Sequence, residues 1–181
     1  MNLANSLTLA RIFLVPIFMI ILFIKIPYGK FIAAAVFILA ASTDGLDGYI
    51  ARKKNQVTKL GKFMDPLADK LLVSAALISL VELREISAWV AVIIIGREFA
   101  VTGLRAIVAA EGVVISASRL GKYKTVSQIV AISAMFLENY PFSLLQFPFG
   151  QIAMGVALLF TIWSGVDYFW KARALLKAGD R

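Results

Sequence analysis

The sequence predicts an all-α, polytopic membrane protein with six transmembrane helices plus a short N-terminal interfacial helix. Three observations carry that expectation. The 181 residues are 60% hydrophobic with a mean hydropathy of +0.83, whereas an ordinary soluble domain is about 45–50% apolar. The apolar stretches recur at lengths near the roughly 20 residues that a spanning helix needs, with short polar breaks between them. With six spans and both termini on one side, every Lys and Arg except Lys25, Lys30 and Arg84 falls on the side of the termini. The positive-inside rule makes that side cytoplasmic. A multi-pass protein of the cell membrane is therefore expected, with membrane lipid as its surroundings.

Taken in order, Asn2–Thr8 is short and mildly amphipathic, with Asn5 and Ser6 as cap residues, and suits the membrane interface. The first span covers Leu7–Ile26, with Pro16 as a kink, and Pro27-Tyr-Gly-Lys30 turns the chain. The second runs from Phe31 to Arg52, and Lys53–Leu60 is a basic loop. The third runs from Lys62 to Val81, and Glu82–Glu85 is a charged turn. The fourth, Ile86–Ala110, is interrupted by Arg97, Glu98 and Arg105, and Glu111–Lys124 forms a second cytoplasmic segment. The fifth covers Thr125–Leu137 and begins somewhat before it. Asn139–Phe149 carries two prolines, and the sixth span, Gly150–Trp170, leads into a basic tail. No linker-like composition and no fixed-period repeat divides the chain, so residues 1–181 are expected to form one integral-membrane domain. Arg11 gives a charged start, but no small-residue cleavage site follows Ile12–Ile24, so a cleavable signal peptide is not expected.

Charge and composition narrow the chemistry. The net charge of +8 and pI near 9.9 fit basic loops beside anionic lipid, and nucleic acid is not an expected partner. Cysteine and histidine are both absent, which removes thiol nucleophiles, disulfides, most zinc sites and an imidazole base. Carboxylates, Lys, Tyr and hydroxyls remain, and carboxylates prefer hard cations such as magnesium or manganese.

Four aspartates concentrate that chemistry. Asp44, Asp47, Asp65 and Asp69 flank the loop between the second and third spans, all on the predicted cytoplasmic side. Ionised groups at that depth are costly and mark a functional site by default. At about 100° per residue, Asp44, Asp47, Gly48 and Ala51 share one helix face, and Asp65 and Asp69 share a face of the next helix. Gly48 and Ala51 offer no bulk, so a nucleotide can approach the backbone, and Gly61 does the same where exposed amides favour an anion. Four clustered carboxylates repel one another, and two divalent cations able to bridge a diphosphate are the natural remedy. The plainer reading is a surface network with Arg52, Lys59, Lys62 and Lys70.

The segment reads D-x2-D-G-x2-A-R-x8-G-x3-D-x3-D over Asp44–Asp69, and it resembles the signature of the CDP-alcohol phosphotransferases position for position. The resemblance implies that Asp44, Asp47 and Asp65 ligate two divalent cations, magnesium or manganese. Asp69 would add a ligand or act as the catalytic base toward the acceptor hydroxyl. It implies that Gly48, Ala51 and Arg52 line the CDP site, with Gly61 beside it. Asn5, Thr8 and Arg11 stand at one-turn spacing that matches the family's first-helix set near the nucleotide. A cap and an interfacial arginine are the alternative for these three. The family also implies a homodimer, for which the residues show no decisive small-residue interface.

The signature is silent on the acceptor. Arg97 and Arg105 interrupt an apolar helix, where an arginine costs roughly 2.5–3.5 kcal/mol at the centre. Arg119, Lys122 and Lys124 follow at the next cytoplasmic helix start. Such a group suits a phosphate dianion, although positive-inside charge alone explains Arg119 and Lys124, and an ion pair with Glu98 or Asp167 would explain the buried arginines. The run Gly96-Arg97-Glu98-Phe99, Gly103-Leu-Arg105 and Gly121-Lys122-Tyr-Lys124-Thr125 is similar to bacterial phosphatidylglycerophosphate synthases. That similarity implies transfer of a phosphatidyl group from CDP-diacylglycerol to glycerol 3-phosphate, giving phosphatidylglycerophosphate and CMP. Inositol phosphate or phosphatidylglycerol as acceptor is the alternative within this chemistry. A cation transporter is the alternative outside it, but one-sided carboxylates and the absence of a repeat argue against it.

Overall fold

The structure, a computed structural model, describes residues 3–24, 26–53, 59–110 and 118–179. Within its helices, the side chains of residues 3–5, 7, 44–53, 59–63, 65, 110 and 174–179 fall outside that description. Among the described residues the regular structure is entirely helical: α1 (Leu3–Phe23), α2 (Gly29–Lys53), α3 (Lys59–Glu82), α4 (Ala88–Ala110), α5 (Arg119–Phe136) and α6 (Phe149–Gly179), with one 3-10 turn, Phe142–Leu145, before α6.

The helices begin and end for local reasons. Arg84 adopts a left-handed conformation (φ 60°) past the end of α3, and Glu85 N–H donates to the Leu80 carbonyl at 2.9 Å. This reversal satisfies carbonyls that a helix end otherwise leaves open. Ser87 Oγ accepts from Trp89 N–H at 3.2 Å and starts α4. Ser118 Oγ accepts from Gly121 N–H at 3.1 Å and caps α5. Glu138 and Asn139 are left-handed (φ 53° and 62°) where α5 turns toward α6. Asn139 Oδ1 then accepts from Gly150 N–H at 2.6 Å. A Cβ at Gly150 would stand 2.6 Å from that oxygen, so only glycine permits the approach.

One sequence expectation changes and another is extended. The N-terminal segment is not a separate interfacial helix, because α1 is continuous from Leu3 to Phe23. No turn residue between Leu3 and Thr8 gives the backbone a reason to break. The expected sixth span, Gly150–Trp170, falls within the apolar stretch Phe149–Arg173, and its helix continues into the basic tail as far as Gly179, over Ala- and Leu-rich sequence of high helix propensity.

The core joins all six α-helices. Phe18 of α1, Phe37 of α2 and Phe136 of α5 are buried and meet with ring centroids 5.3–6.2 Å apart. Leu72, Ala76, Leu77 and Leu80 of α3 are fully buried against them, with Ile94 of α4 and Ala157 of α6 in the same cluster. Every α-helix also turns large apolar residues outward: Phe13, Leu39, Ile78, Val92, Val126 and Trp163 are each exposed. One described stretch, Phe149–Arg173, with mean hydropathy 1.6 over its apolar window, is long and apolar enough to cross a membrane, and Thr8–Phe23 and Gly29–Thr43 are shorter apolar segments.

Candidate active site

The helix directions gather the chemistry at one end of the bundle. That end holds the start of α1, the end of α2, the start of α3, the end of α4, the start of α5 and the end of α6. The backbones of Asp44, Asp47, Gly48, Ala51 and Arg52 lie in the last turns of α2, and those of Gly61 and Asp65 in the first turns of α3. Their side chains lie outside the described residues, as does that of Asn5 in α1. Among the described residues no group of three or more metal-ligating side chains stands together, because three of the four aspartates are outside them.

Thr8 and Arg11 of α1 are buried, each 2% exposed. Arg11 Nε donates to the Ala40 carbonyl of α2 at 3.2 Å. That carbonyl is one helical turn before Asp44, so a buried guanidinium binds α1 to α2 beside the first aspartate. A surface arginine would not sit so deep.

Asp69 is half-buried on α3 and lines a narrow cavity with Lys70, Val73, Glu98, Lys124 and Gln128. Across it stands a compact ion cluster. Glu98 Oε1 accepts from Lys124 Nζ at 2.6 Å and from Arg97 Nη1 at 3.2 Å. The three side chains retain only 14%, 8% and 11% of their exposure respectively. Arg97 Nη2 also donates to Ser164 Oγ of α6 at 2.9 Å, and its guanidinium carbon lies 5.7 Å from the Tyr168 ring centroid. A Cβ at Gly165 would stand 3.2 Å from Arg97 Cγ, so the bare backbone lets the arginine stem lie against α6. Tyr168 Oη in turn accepts from Ser118 N–H at 3.1 Å, which ties the α5 cap to α6.

The acceptor group expected from the sequence is thus divided. Lys124 lines the cavity beside Asp69, while Arg97 reaches it only through Glu98, the ion pair that was the alternative for that arginine. Arg105, Arg119 and Lys122 are exposed. Asp167, for which the sequence offered no firm role, holds Lys171 one turn along α6 at 2.7 Å rather than either arginine. Ser164 and Tyr168 escaped sequence reading because neither belongs to a motif. The spacing of Tyr168 three residues after Gly165 gained meaning only once Arg97 was seen against that face. An open groove of about 800 Å3 between α4 and α6 is lined by Gly96, Arg97, Gly165, Trp170 and Arg173, among others.

The donor set can be tested against hard cations. Without His or Cys, the end of α2 and the start of α3 supply only oxygen donors at these positions, and the two helices pack as neighbours. This suits magnesium or manganese and does not suit softer metals.

Comparison with known proteins places the chain. The family model described as CDP-alcohol phosphatidyltransferase matches residues 1–163. The chain is 51% identical to a CDP-diacylglycerol–glycerol-3-phosphate 3-phosphatidyltransferase of Bacillus subtilis (strain 168), over 99% of each chain. It is 43% identical to a probable phosphatidylglycerophosphate synthase of Mycobacterium tuberculosis (strain ATCC 25618 / H37Rv), over 98% of this chain and 84% of the relative. A Haemophilus influenzae protein with the first of those names is 36% identical over 97% of this chain and 95% of its own. With the family model covering most of the chain and the aspartate segment inside the match, this protein belongs to the CDP-alcohol phosphatidyltransferase family and is an enzyme of that family.

Proposed function

We propose that this enzyme transfers the phosphatidyl group of CDP-diacylglycerol to glycerol 3-phosphate, forming phosphatidylglycerophosphate and CMP. The observation that carries the acceptor assignment is the buried Lys124, which lines one cavity with Asp69 and shares a Glu98 oxygen with the part-buried Arg97. Two cations there suit a phosphate on the acceptor, and a carboxylate nearby suits its hydroxyl. The names of the relatives point the same way.

In this reading the end of α2 and the start of α3 hold the lipid's diphosphate. Asp44, Asp47, Asp65 and Asp69 would hold two divalent cations, magnesium or manganese, which when bound neutralise diphosphate charge. Gly48, Ala51 and Gly61 leave room for the nucleotide, with Arg52, Asn5, Thr8 and Arg11 around it. Asp69 accepts the proton of the glycerol 3-phosphate hydroxyl as that oxygen bonds to the β-phosphorus of CDP-diacylglycerol. The bond from that phosphorus to the bridging oxygen breaks, and CMP leaves with the electron pair. Arg97 and Lys124 orient the acceptor through its phosphate, with Arg105, Arg119 and Lys122 contributing positive potential at the rim.

The chain is further proposed to form one domain of six spans, with both termini and the site on the cytoplasmic side, and to act as a homodimer. Outward apolar side chains on every helix support the membrane placement. So do exposed aromatic residues at both ends of the bundle, with Tyr28, Trp89 and Tyr140 at one and Tyr123 and Trp170 at the other.

The test is a transfer assay on the purified full chain with labelled CDP-diacylglycerol. Glycerol 3-phosphate, inositol phosphate, serine and phosphatidylglycerol are offered in turn. The expected result is CMP release coupled to label transfer, strongest with glycerol 3-phosphate. Preference for inositol phosphate would keep the phosphate reading and change the alcohol; preference for serine would contradict both.

A further inference from the structure

Glu98 occupies an unusual position for a carboxylate. One of its oxygens takes both a 2.6 Å bond from Lys124 and a 3.2 Å bond from Arg97. It therefore engages both the buried Lys124 and the part-buried Arg97, the cations that the proposed acceptor phosphate requires. Arg97 Nε is buried against Gly165 of α6 and has no hydrogen-bond partner among the described residues, so only the Nη1 end of this arginine meets Glu98. Glu98 and Lys124 line the cavity that Asp69 faces, and that cavity holds about 10 Å3, roughly the room for one water. A glycerol phosphate cannot enter it while the Glu98 carboxylate keeps this place.

We propose that Glu98 is a specificity-determining residue, an internal counter-anion that the phosphate of the acceptor displaces from Lys124 and Arg97. This inference rests on the phosphorylated-acceptor reading above.

The physical argument is one of competition. Two cations buried without a counter-charge are costly, so the protein supplies its own anion when no acceptor is bound. An acceptor must then offer more than Glu98 does. A phosphate dianion brings two charges and enough oxygens for both Lys124 and Arg97 Nη1. An uncharged alcohol brings nothing that outcompetes a carboxylate for an ammonium, so it leaves Glu98 in place and the cavity small. Selectivity then comes from excluding the wrong acceptor as much as from attracting the right one. Had Glu98 remained between the cations, an incoming dianion would meet a like charge at close range.

The experiment compares wild type with Glu98→Gln and Glu98→Asp, as the full-length purified enzyme. It measures the apparent KM for glycerol 3-phosphate, the KM for CDP-diacylglycerol, and inhibition by inorganic phosphate. Glu98→Gln removes the competitor's charge, so the KM for glycerol 3-phosphate is expected to fall about tenfold, with phosphate inhibiting at correspondingly lower concentration. Glu98→Asp keeps the charge on a shorter arm that reaches Lys124 less well, and its KM should fall between the two. The KM for CDP-diacylglycerol should change by less than about twofold. If Glu98 merely holds Arg97 and Lys124 in place, either variant raises the KM for glycerol 3-phosphate or leaves phosphate inhibition unchanged, and the proposal is overturned. Should Glu98→Gln fail to fold with its two cations unpaired, Glu98→Asp decides alone. If the wild type itself prefers an uncharged acceptor, the underlying reading fails, a result visible before any variant is made.

Discussion

The two ends of the helical bundle each carry a three-membered ion cluster, and the clusters are built in opposite senses. At the end with the aspartates, one carboxylate, Glu98, sits between two cations, Arg97 and Lys124, all nearly withdrawn from solvent. At the far end one cation, Lys30, sits between two carboxylates, Glu138 at 2.9 Å and Glu85 at 3.5 Å, with a third or more of each side chain exposed. The far cluster joins three turns, those leading into α2, out of α3 and out of α5. Exposed pairs of that kind cost little to form and contribute little. The near cluster bears a desolvation cost that fastening alone does not repay. A fold that needed only to tie helices together would use the first arrangement at both ends. That difference fits the proposal that a charged substrate is handled at the aspartate end.

The largest expected effect lies with the aspartates. Asp44→Asn, Asp47→Asn or Asp65→Asn should each remove an oxygen donor for a hard cation and nearly abolish turnover, and chelation by EDTA should do the same to the wild type. Full activity in metal-free buffer would leave the near end without its central device. Asp69→Asn comes next. Its turnover number should drop severely while CDP-diacylglycerol binding stays largely intact, because a base acts on the acceptor. Joint loss of binding and rate would make Asp69 chiefly a ligand.

The smallest effect belongs to the far end. Lys30→Met should lower the thermal midpoint by no more than about 2–4 °C and leave both substrate KM values unchanged. The hydrogen bond to Glu138 outweighs partial burial and holds the Lys30 ammonium above its ordinary value of 10.5. Its stabilisation is therefore fully present below about pH 10.5 and disappears as pH rises through the raised value. The gap between wild type and variant should close only in strong alkali. A KM change in this variant would erase the contrast between the ends.

The candidate residues of the near end were legible in the sequence because they stand at fixed local spacing. Asp44, Asp47, Asp65 and Asp69 stood out by their spacing beside a basic loop, and the side chains of the first three lie outside the described residues. The helices were also legible from apolar length, and the expected Phe31–Arg52 became Gly29–Lys53. The interfacial segment was misjudged because polarity at Asn5 and Ser6 suggested a boundary, while nothing there interrupts helical backbone. α6 exceeded expectation because a charged tail is not a helix stop, and Asp167 reaches Lys171 at i+4. The ion cluster was only half legible. Arg97 and Lys124 stood out as charges, but Glu98 pairs with a residue 26 positions away and Arg97 with one 67 away. Such pairings follow from packing α4 and α5 each against α3 and α6, which no local pattern encodes.

The most direct measurement of the contrast is the effect of Arg97→Gln and Lys124→Met on the two substrates separately. Each variant should raise the apparent KM for glycerol 3-phosphate about tenfold, since one charge-assisted contact is lost, while the KM for CDP-diacylglycerol stays nearly constant. The exposed Arg105→Gln should show a smaller rise of the same kind. Equal changes in both KM values, or none in either, would contradict the claim that the buried cluster reads the acceptor's phosphate.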